Sequence, residues 1–233
     1  MEEVRGRYAQ LLSRIEEAKQ VAPHNREVTL LAVSKRQPIS RVQALQDAIA
    51  PEQLSLGENY VQEYREKKSS LRPHLAHLIG PLQSNKAREA VSLFDVIESV
   101  HSEKIAQVLE KEAARAKREV AVFLQVNISQ DPHKSGLMDS EFLELVRSWS
   151  HQHQWLHLRG VMTITAEYPS PEMVRGDYRK LYFLAEHAYK AFPESFKGVP
   201  PEISMGMSDD FDIAVQEGAT VVRVGSALFG PRE

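Results

Sequence analysis

Apolar, β-branched runs alternate along the chain with stretches of helical periodicity, and the alternation continues to the end. The opening segment places Val4, Tyr8, Leu11, Leu12 and Ile15 on one helical face. Strands are predicted at residues 28–35, 54–59, 75–80, 95–100, 120–127, 156–163, 201–208 and 220–225, with helical stretches between them. A helix at 101–118 gathers Ile105, Val108, Leu109, Ala113 and Ala116 on one face. A second at 171–192 does the same with Val174, Tyr178, Leu181 and Ala185. Ser40 is a start signal for the second helix, Ser208 with Asp209 and Asp210 for a helix at 209–217, and Gly218 a stop. Strands separated by helices need parallel crossovers, and eight of them predict a (β/α)8 TIM barrel with an extra N-terminal helix. The competitor is a doubly wound open sheet, favoured by a glycine-rich dinucleotide fingerprint after the first strand; none is present. Pro169-Ser170-Pro171 reads as a loop and no composition shift marks a linker, so residues 1–233 are expected to form a single domain.

Composition narrows the class. Of 233 residues, 42% are hydrophobic and 26% charged, the balance of a globular protein with a sizeable core. The net charge of −3 gives no bulk electrostatic reason to bind nucleic acid or a membrane surface. The absence of cysteine excludes a disulfide scaffold, a thiolate zinc site and a cysteine nucleophile together. Met1-Glu2-Glu3-Val4-Arg5 has no apolar leader, and the longest apolar run, at 120–124, is far too short to span a bilayer. A cytoplasmic protein is the expectation.

In such a barrel chemistry gathers at the C-terminal strand ends. Those ends carry Lys35, Gly57-Glu58-Asn59, Gly80, Ser99, Asn127, Met162-Thr163, Ser204 to Ser208, and Arg223 with Gly225-Ser226. Lys35 has two readings: a solvated lysine opening a loop with Arg36, or an amine over the barrel mouth, where partial desolvation favours the neutral form that imine chemistry needs. Gly225-Ser226 is either a plain tight turn or a phosphate cradle of free backbone amides with room for close approach. Ser208 is expected to cap the following helix and to lend a side-chain donor. Asp209, Asp210 and Asp212 load that helix start with negative charge, which moves the main cradle to Gly225-Ser226. His151, His153 and His157 have metal-like spacing but precede the sixth strand, away from the mouth and with no carboxylate beside them, so no metal site is expected. Lys134-Ser135-Gly136 is a solvated basic loop or an anion or partner contact. Met205-Gly206-Met207 reads as packing. No Ser-His-Asp order or paired-carboxylate spacing stands out.

Several motifs occur together and in order: Leu31-Ala32-Val33-Ser34-Lys35, Gly57-Glu58-Asn59-Tyr60-Val61-Gln62-Glu63, His77-Leu78-Ile79-Gly80 with Leu82-Gln83-Ser84-Asn85-Lys86, Lys134-Ser135-Gly136, Gly160-Val161-Met162-Thr163-Ile164, Ser204-Met205-Gly206-Met207-Ser208, and Val222-Arg223-Val224-Gly225-Ser226 with Phe229-Gly230. In this the chain resembles the pyridoxal phosphate homeostasis protein family, over nearly its whole length. The resemblance implies a barrel like the alanine racemase N-terminal domain, holding pyridoxal 5′-phosphate (PLP) as a Schiff base on Lys35. It implies phosphate contacts from Ser208, Gly225 and Ser226, Arg223 near the pyridine nitrogen, and Asn59 and His77 around the cofactor. Lys134 matches a lysine tied to cofactor transfer or a second binding mode. The implied function is intracellular PLP (vitamin B6) homeostasis and amino and keto acid balance without an established reaction, with PLP-dependent apoenzymes as partners and a monomeric state.

Two enzymatic readings compete: a PLP-dependent racemase or lyase acting on a small amino acid, and a cofactor-free aldolase. In the related racemases a C-terminal β domain completes the active site, whereas this sequence stops at residue 233, soon after Gly225, which favours a carrier. Arg223 lies two residues before Gly225 and so shares its strand face. A guanidinium at the pyridine nitrogen can only donate, which leaves the ring a weak electron sink; the alternative is a rim arginine in an ion pair.

Overall fold

The computed structural model describes residues 2–50 and 53–230. After α1 (Glu2–Lys19) come β1 (Thr29–Val33), α2 (Ile39–Ala48), β2 (Ser55–Glu58), α3 (Val61–Lys68), β3 (Leu75–Leu78), α4 (Ala87–Leu93), β4 (Val96–Val100) and α5 (Glu103–Ala116). The chain continues through β5 (Val120–Gln125), α6 (Asp139–Gln152), β6 (Leu156–Met162), α7 (Pro171–Ala191), β7 (Glu202–Ser204), α8 (Phe211–Gln216), β8 (Val221–Val224) and α9 (Ser226–Phe229). The eight strands pair in chain order, all parallel, and β8 returns to β1, with Leu31 opposite Arg223 and Ala32 opposite Val224. This is the predicted TIM barrel with its extra N-terminal helix.

Strand alternation sorts the side chains into two layers. Leu31, Val33, Ile79, Val96, Phe123, Met162 and Val221 fill the barrel interior. The opposite parity, among it Ala32, Leu56, Leu78, Val122, Val161 and Val222, joins the larger core between strands and helices. Val4, Leu11, Ile15 and Ala18 bury α1, and Arg14 stacks 4.3 Å above the Phe211 ring at the start of α8. Leu12, predicted on the same face, is 37% exposed. It follows Leu11 by about 100° around the helix and turns to solvent.

The differences fall at element ends. β1 stops at Val33 and β7 at Ser204, so Lys35 and Ser208 sit in the loops beyond. Ser40 lies inside the first turn of α2, whose N-cap position is Pro38. The helix predicted at 209–217 begins at Phe211 with Asp210 at its N-cap, so Ser208 does not cap it. Gly218 does close that helix, with φ +104°. No helix among the described residues is long and apolar enough to cross a membrane.

Two glycines test the packing with opposite signs. A Cβ at Gly160 would lie 2.0 Å from the Glu202 carbonyl oxygen on β7, a backbone atom that cannot move aside cheaply. Gly176, in the second turn of α7, has nothing within 4 Å of an added Cβ. Gly160→Ala is expected to lose about 3 kcal/mol and Gly176→Ala to gain about 0.5–1 kcal/mol, read from urea midpoints.

Candidate functional site

A cavity of about 210 Å³ opens at the C-terminal mouth of the barrel, walled by Val33, Lys35, Asn59, Ile79, Ile164, Met207, Ser208, Asp209, Arg223, Gly225 and Ser226. Six of the sequence-predicted residues therefore converge: Lys35, Asn59, Ser208, Arg223, Gly225 and Ser226. A neighbouring cavity of about 490 Å³ shares Ile164, Met207 and Asp209 and is lined by Lys134. The Lys134 ammonium donates to the Thr165 carbonyl at 2.7 Å. A groove of about 540 Å³ between α4 and α5, lined by Arg88, Glu89, Glu112 and Arg115, lies outside the barrel and away from the strand ends.

The β1–β8 register sets Lys35 beside Gly225-Ser226, because the two chain segments leave adjacent strands at the same level. The Ser208 hydroxyl accepts the amides of Gly225 (3.3 Å) and Ala227 (3.4 Å). It thus serves the start of α9, not the helix it was expected to cap. Two of the three nearby acids are turned to other partners. Asp210 accepts the Met207 amide at 2.6 Å and the Tyr178 hydroxyl at 2.8 Å, and Asp212 pairs with Arg14; Asp209 stays on the cavity wall. A Cβ at Gly225 would meet Val33 only at ordinary contact distance, 3.4 Å, so packing does not demand glycine there. Its effect is to leave the cavity wall bare beside the Ser208 and Ser226 side chains.

Arg223 forms the inner wall and is 4% exposed. Its Nη1 donates to Ser204 Oγ at 2.8 Å and its Nη2 to the Thr163 carbonyl at 2.7 Å. Ser204 Oγ donates in turn to Glu98 Oε2 at 2.6 Å, and His77 Nδ1 meets Glu98 Oε1 at 2.6 Å. His77 is therefore not on the cavity wall; it is buried in the barrel interior and reaches the site through Glu98, Ser204 and Arg223. Burial alone would push the Glu98 carboxyl up. The hydrogen bond and charge of His77, joined by Arg223 and Ser204, outweigh it and hold the carboxyl below the usual carboxylate range. Sequence reading missed Glu98 and its link to Ser204. The available signal was a carboxylate within the apolar run Val96-Ile97-Glu98-Ser99-Val100.

The three histidines with metal-like spacing separate. His151 ends α6, the His153 ring lies 4.1 Å from that of Trp149, and His157 pairs with Glu119 at 2.6 Å. Carboxylates do join two of them, since Glu110 also lies 3.7 Å from His153. Among the described residues no group of three or more potential metal ligands forms. The Met205-Gly206-Met207 cluster divides: Met205 is buried in the core, while Met207 is 42% exposed on the cavity wall.

Residues 7–233 match the family model of the alanine racemase N-terminal domain. A curated relative from Pseudomonas aeruginosa, named pyridoxal phosphate homeostasis protein, is 38% identical over 232 residues, covering 97% of this chain and 94% of that protein. The chain belongs to the pyridoxal phosphate homeostasis protein family. A solved structure of PipY from Synechococcus elongatus, with PLP bound, aligns with a TM-score of 0.83 at 32% identity, over 97% of this chain and all of that one. An alanine racemase from Clostridium difficile shares the fold, with a TM-score of 0.71 at 15% identity; 98% of this chain corresponds to 59% of that chain.

Glu98→Gln removes the charge between His77 and Arg223 and is expected to cost about 3 kcal/mol near neutral pH. A carboxyl held below its ordinary value of 4.5 contributes stability that is complete above that value and is lost as pH falls through the folded-state value. The urea midpoints of parent and variant should therefore converge on acidification. A gap that stays constant from neutral to acid pH would show that Glu98 does not titrate as described.

Proposed function

We propose that this protein holds PLP at the barrel mouth, with Lys35 carrying it as a Schiff base, and that it serves PLP homeostasis in the cytoplasm by keeping the cofactor and passing it to apoenzymes. The carrying observation is that one small cavity brings together a lysine, two serines beside a bare glycine wall, and an arginine from the last strand. The residues fit the group at each end. Lys35 faces a site where its amine can add to an aldehyde carbon, the aldehyde oxygen leaving as water. The Ser208 and Ser226 hydroxyls supply donors for a phosphate dianion, and the bare wall at Gly225 lets them approach it. The names of the curated relatives and the PLP-bound PipY structure support the same cofactor.

When bound, PLP supplies an electron sink for amine chemistry. A guanidinium has donors and no acceptor, so Arg223 disfavours protonation of a ring nitrogen placed against it. Its orientation is held from inside the barrel by Ser204 and the Thr163 carbonyl. Asn59 stands at the rim, where a Cβ at Gly80 would come within 2.3 Å of its carbonyl oxygen; glycine lets the two loops press together. His77 acts at one remove, through Glu98. These features favour retention over turnover.

Borohydride reduction of the PLP-loaded protein, digestion and mass spectrometry should place the pyridoxyl group on Lys35; finding it chiefly on Lys134 or Lys86 would sink the assignment. Ser226→Asp sets a carboxylate at the cradle and should sharply reduce PLP retention by repulsion; undiminished retention would move the phosphate elsewhere. Racemisation and transamination of a panel of amino acids should stay near the level of free PLP. Turnover of about 1 per second or more would restore the racemase or lyase reading.

A further inference from the structure

We infer that α3 and the end of β2 form a positioning clamp for Lys35, in which Glu58, Glu63 and Lys67 tie down the peptide units on both sides of it. The inference rests on the reading of Lys35 as the imine lysine and assigns the residues that hold it there.

Lys67 is a lysine turned inward, its side chain 5% exposed. Its ammonium donates to the Ser34 carbonyl at 2.9 Å and contacts Glu58 Oε1 at 2.5 Å and Glu63 Oε1 at 3.1 Å. The Ser34 hydroxyl donates to the same Glu58 oxygen at 2.5 Å. On the far side of Lys35, the Arg36 amide donates to Glu63 Oε1 at 2.6 Å. The carbonyl and hydroxyl before Lys35 and the amide after it are thus held through one helix and the end of β2. Arg36 itself has φ +57°, a left-handed conformation that side chains other than glycine seldom adopt. Such a residue persists where its surroundings over-determine it, and the Glu63 carboxylate on its amide is that constraint.

Stability alone does not account for the cluster. A buried ion pair gains little over an apolar pair of the same volume, because both charges must leave water. Glu58 is fully buried, and its Oε2 has no hydrogen-bond partner among the described residues. Burial pushes its carboxyl above the usual carboxylate range, and the Lys67 charge offsets this only in part. The cluster's other polar atoms hold one another and reach out to Ser34 and the Arg36 amide. Lysine has a long, flexible stem, and a fixed backbone beneath it narrows the part of the cavity its amine reaches. The clamp accordingly governs imine formation, while the donors at Ser208 and Ser226 govern phosphate affinity.

Two probes separate these effects: PLP, and pyridoxine 5′-phosphate, which carries the same phosphate and ring but no aldehyde. Glu63 is 28% exposed at its side chain, so Glu63→Ala spares the core. It should lower the ratio of PLP to pyridoxine 5′-phosphate affinity about tenfold and speed hydroxylamine capture of bound PLP by a similar factor. Glu63→Gln keeps an acceptor for the Arg36 amide and should recover most of the loss. The double variant Glu58→Gln with Lys67→Met removes both buried charges without orphaning either, and should lower the same ratio. Circular dichroism melts identify the folded variants, and Glu63→Ala suffices if the double variant is unfolded. An unchanged ratio in folded Glu63→Ala, or equal loss for both phosphates, overturns the clamp. If the parent is not labelled on Lys35 by borohydride, the underlying reading fails instead, whatever the variants do.

Discussion

The site depends on the register in which the last strand returns to the first. Leu31 lies opposite Arg223 and Ala32 opposite Val224, so the segments leaving β1 and β8 emerge side by side. Lys35 comes from one and Gly225-Ser226 from the other. A slip of one residue would turn Arg223 and Gly225 away from the interior and toward the helices. The register is held on both sides of the sheet. Leu31, Val33 and Val221 pack inside the barrel, and Ala32, Val222 and Val224 pack against the helical layer. Closure also removes the free edges that would allow slippage. Because the partners come from opposite ends of the chain, the mouth cavity is assembled only when the barrel is complete.

Inside that closure the barrel carries a charge it must compensate. Arg223 is almost entirely withdrawn from water, which is costly unless its donors are satisfied and its charge is balanced. Ser204 and the Thr163 carbonyl satisfy donors, and Glu98 balances the charge through Ser204. His77 then closes the chain on the other carboxylate oxygen. Four strands contribute a residue each to this line: His77 from β3, Glu98 from β4, Ser204 from β7 and Arg223 from β8. Their agreement fixes the guanidinium before any ligand arrives, the preorganisation that binding sites on rigid elements achieve.

Several residues have both a structural and a site role. Ser208 satisfies two amides at the start of α9 while its hydroxyl faces the cavity. Asp210 and Asp212 are turned to Met207, Tyr178 and Arg14. That leaves less negative charge facing the cradle than the run Asp209-Asp210-Phe211-Asp212 suggests on its own.

The alternation of apolar runs and helical periods, a local property, was enough to count eight strands and to order them as a parallel barrel. Position at a strand end marked Lys35 and Gly225-Ser226, and strand parity put Arg223 on the face of Gly225. Ser208 was legible as a capping residue, but the amides it caps belong to a segment leaving a different strand, so its partner was not. His77 stood in a recognisable motif, yet its distance from the cavity follows from Glu98 on the neighbouring strand. The pairings of Glu98 with Ser204 and of Lys67 with the Ser34 carbonyl were hidden for the same reason. Chemical type and strand-face parity are written in short stretches of chain; which polar group faces which across the barrel is decided by strand register and helix placement, and these exist only once the sheet has closed.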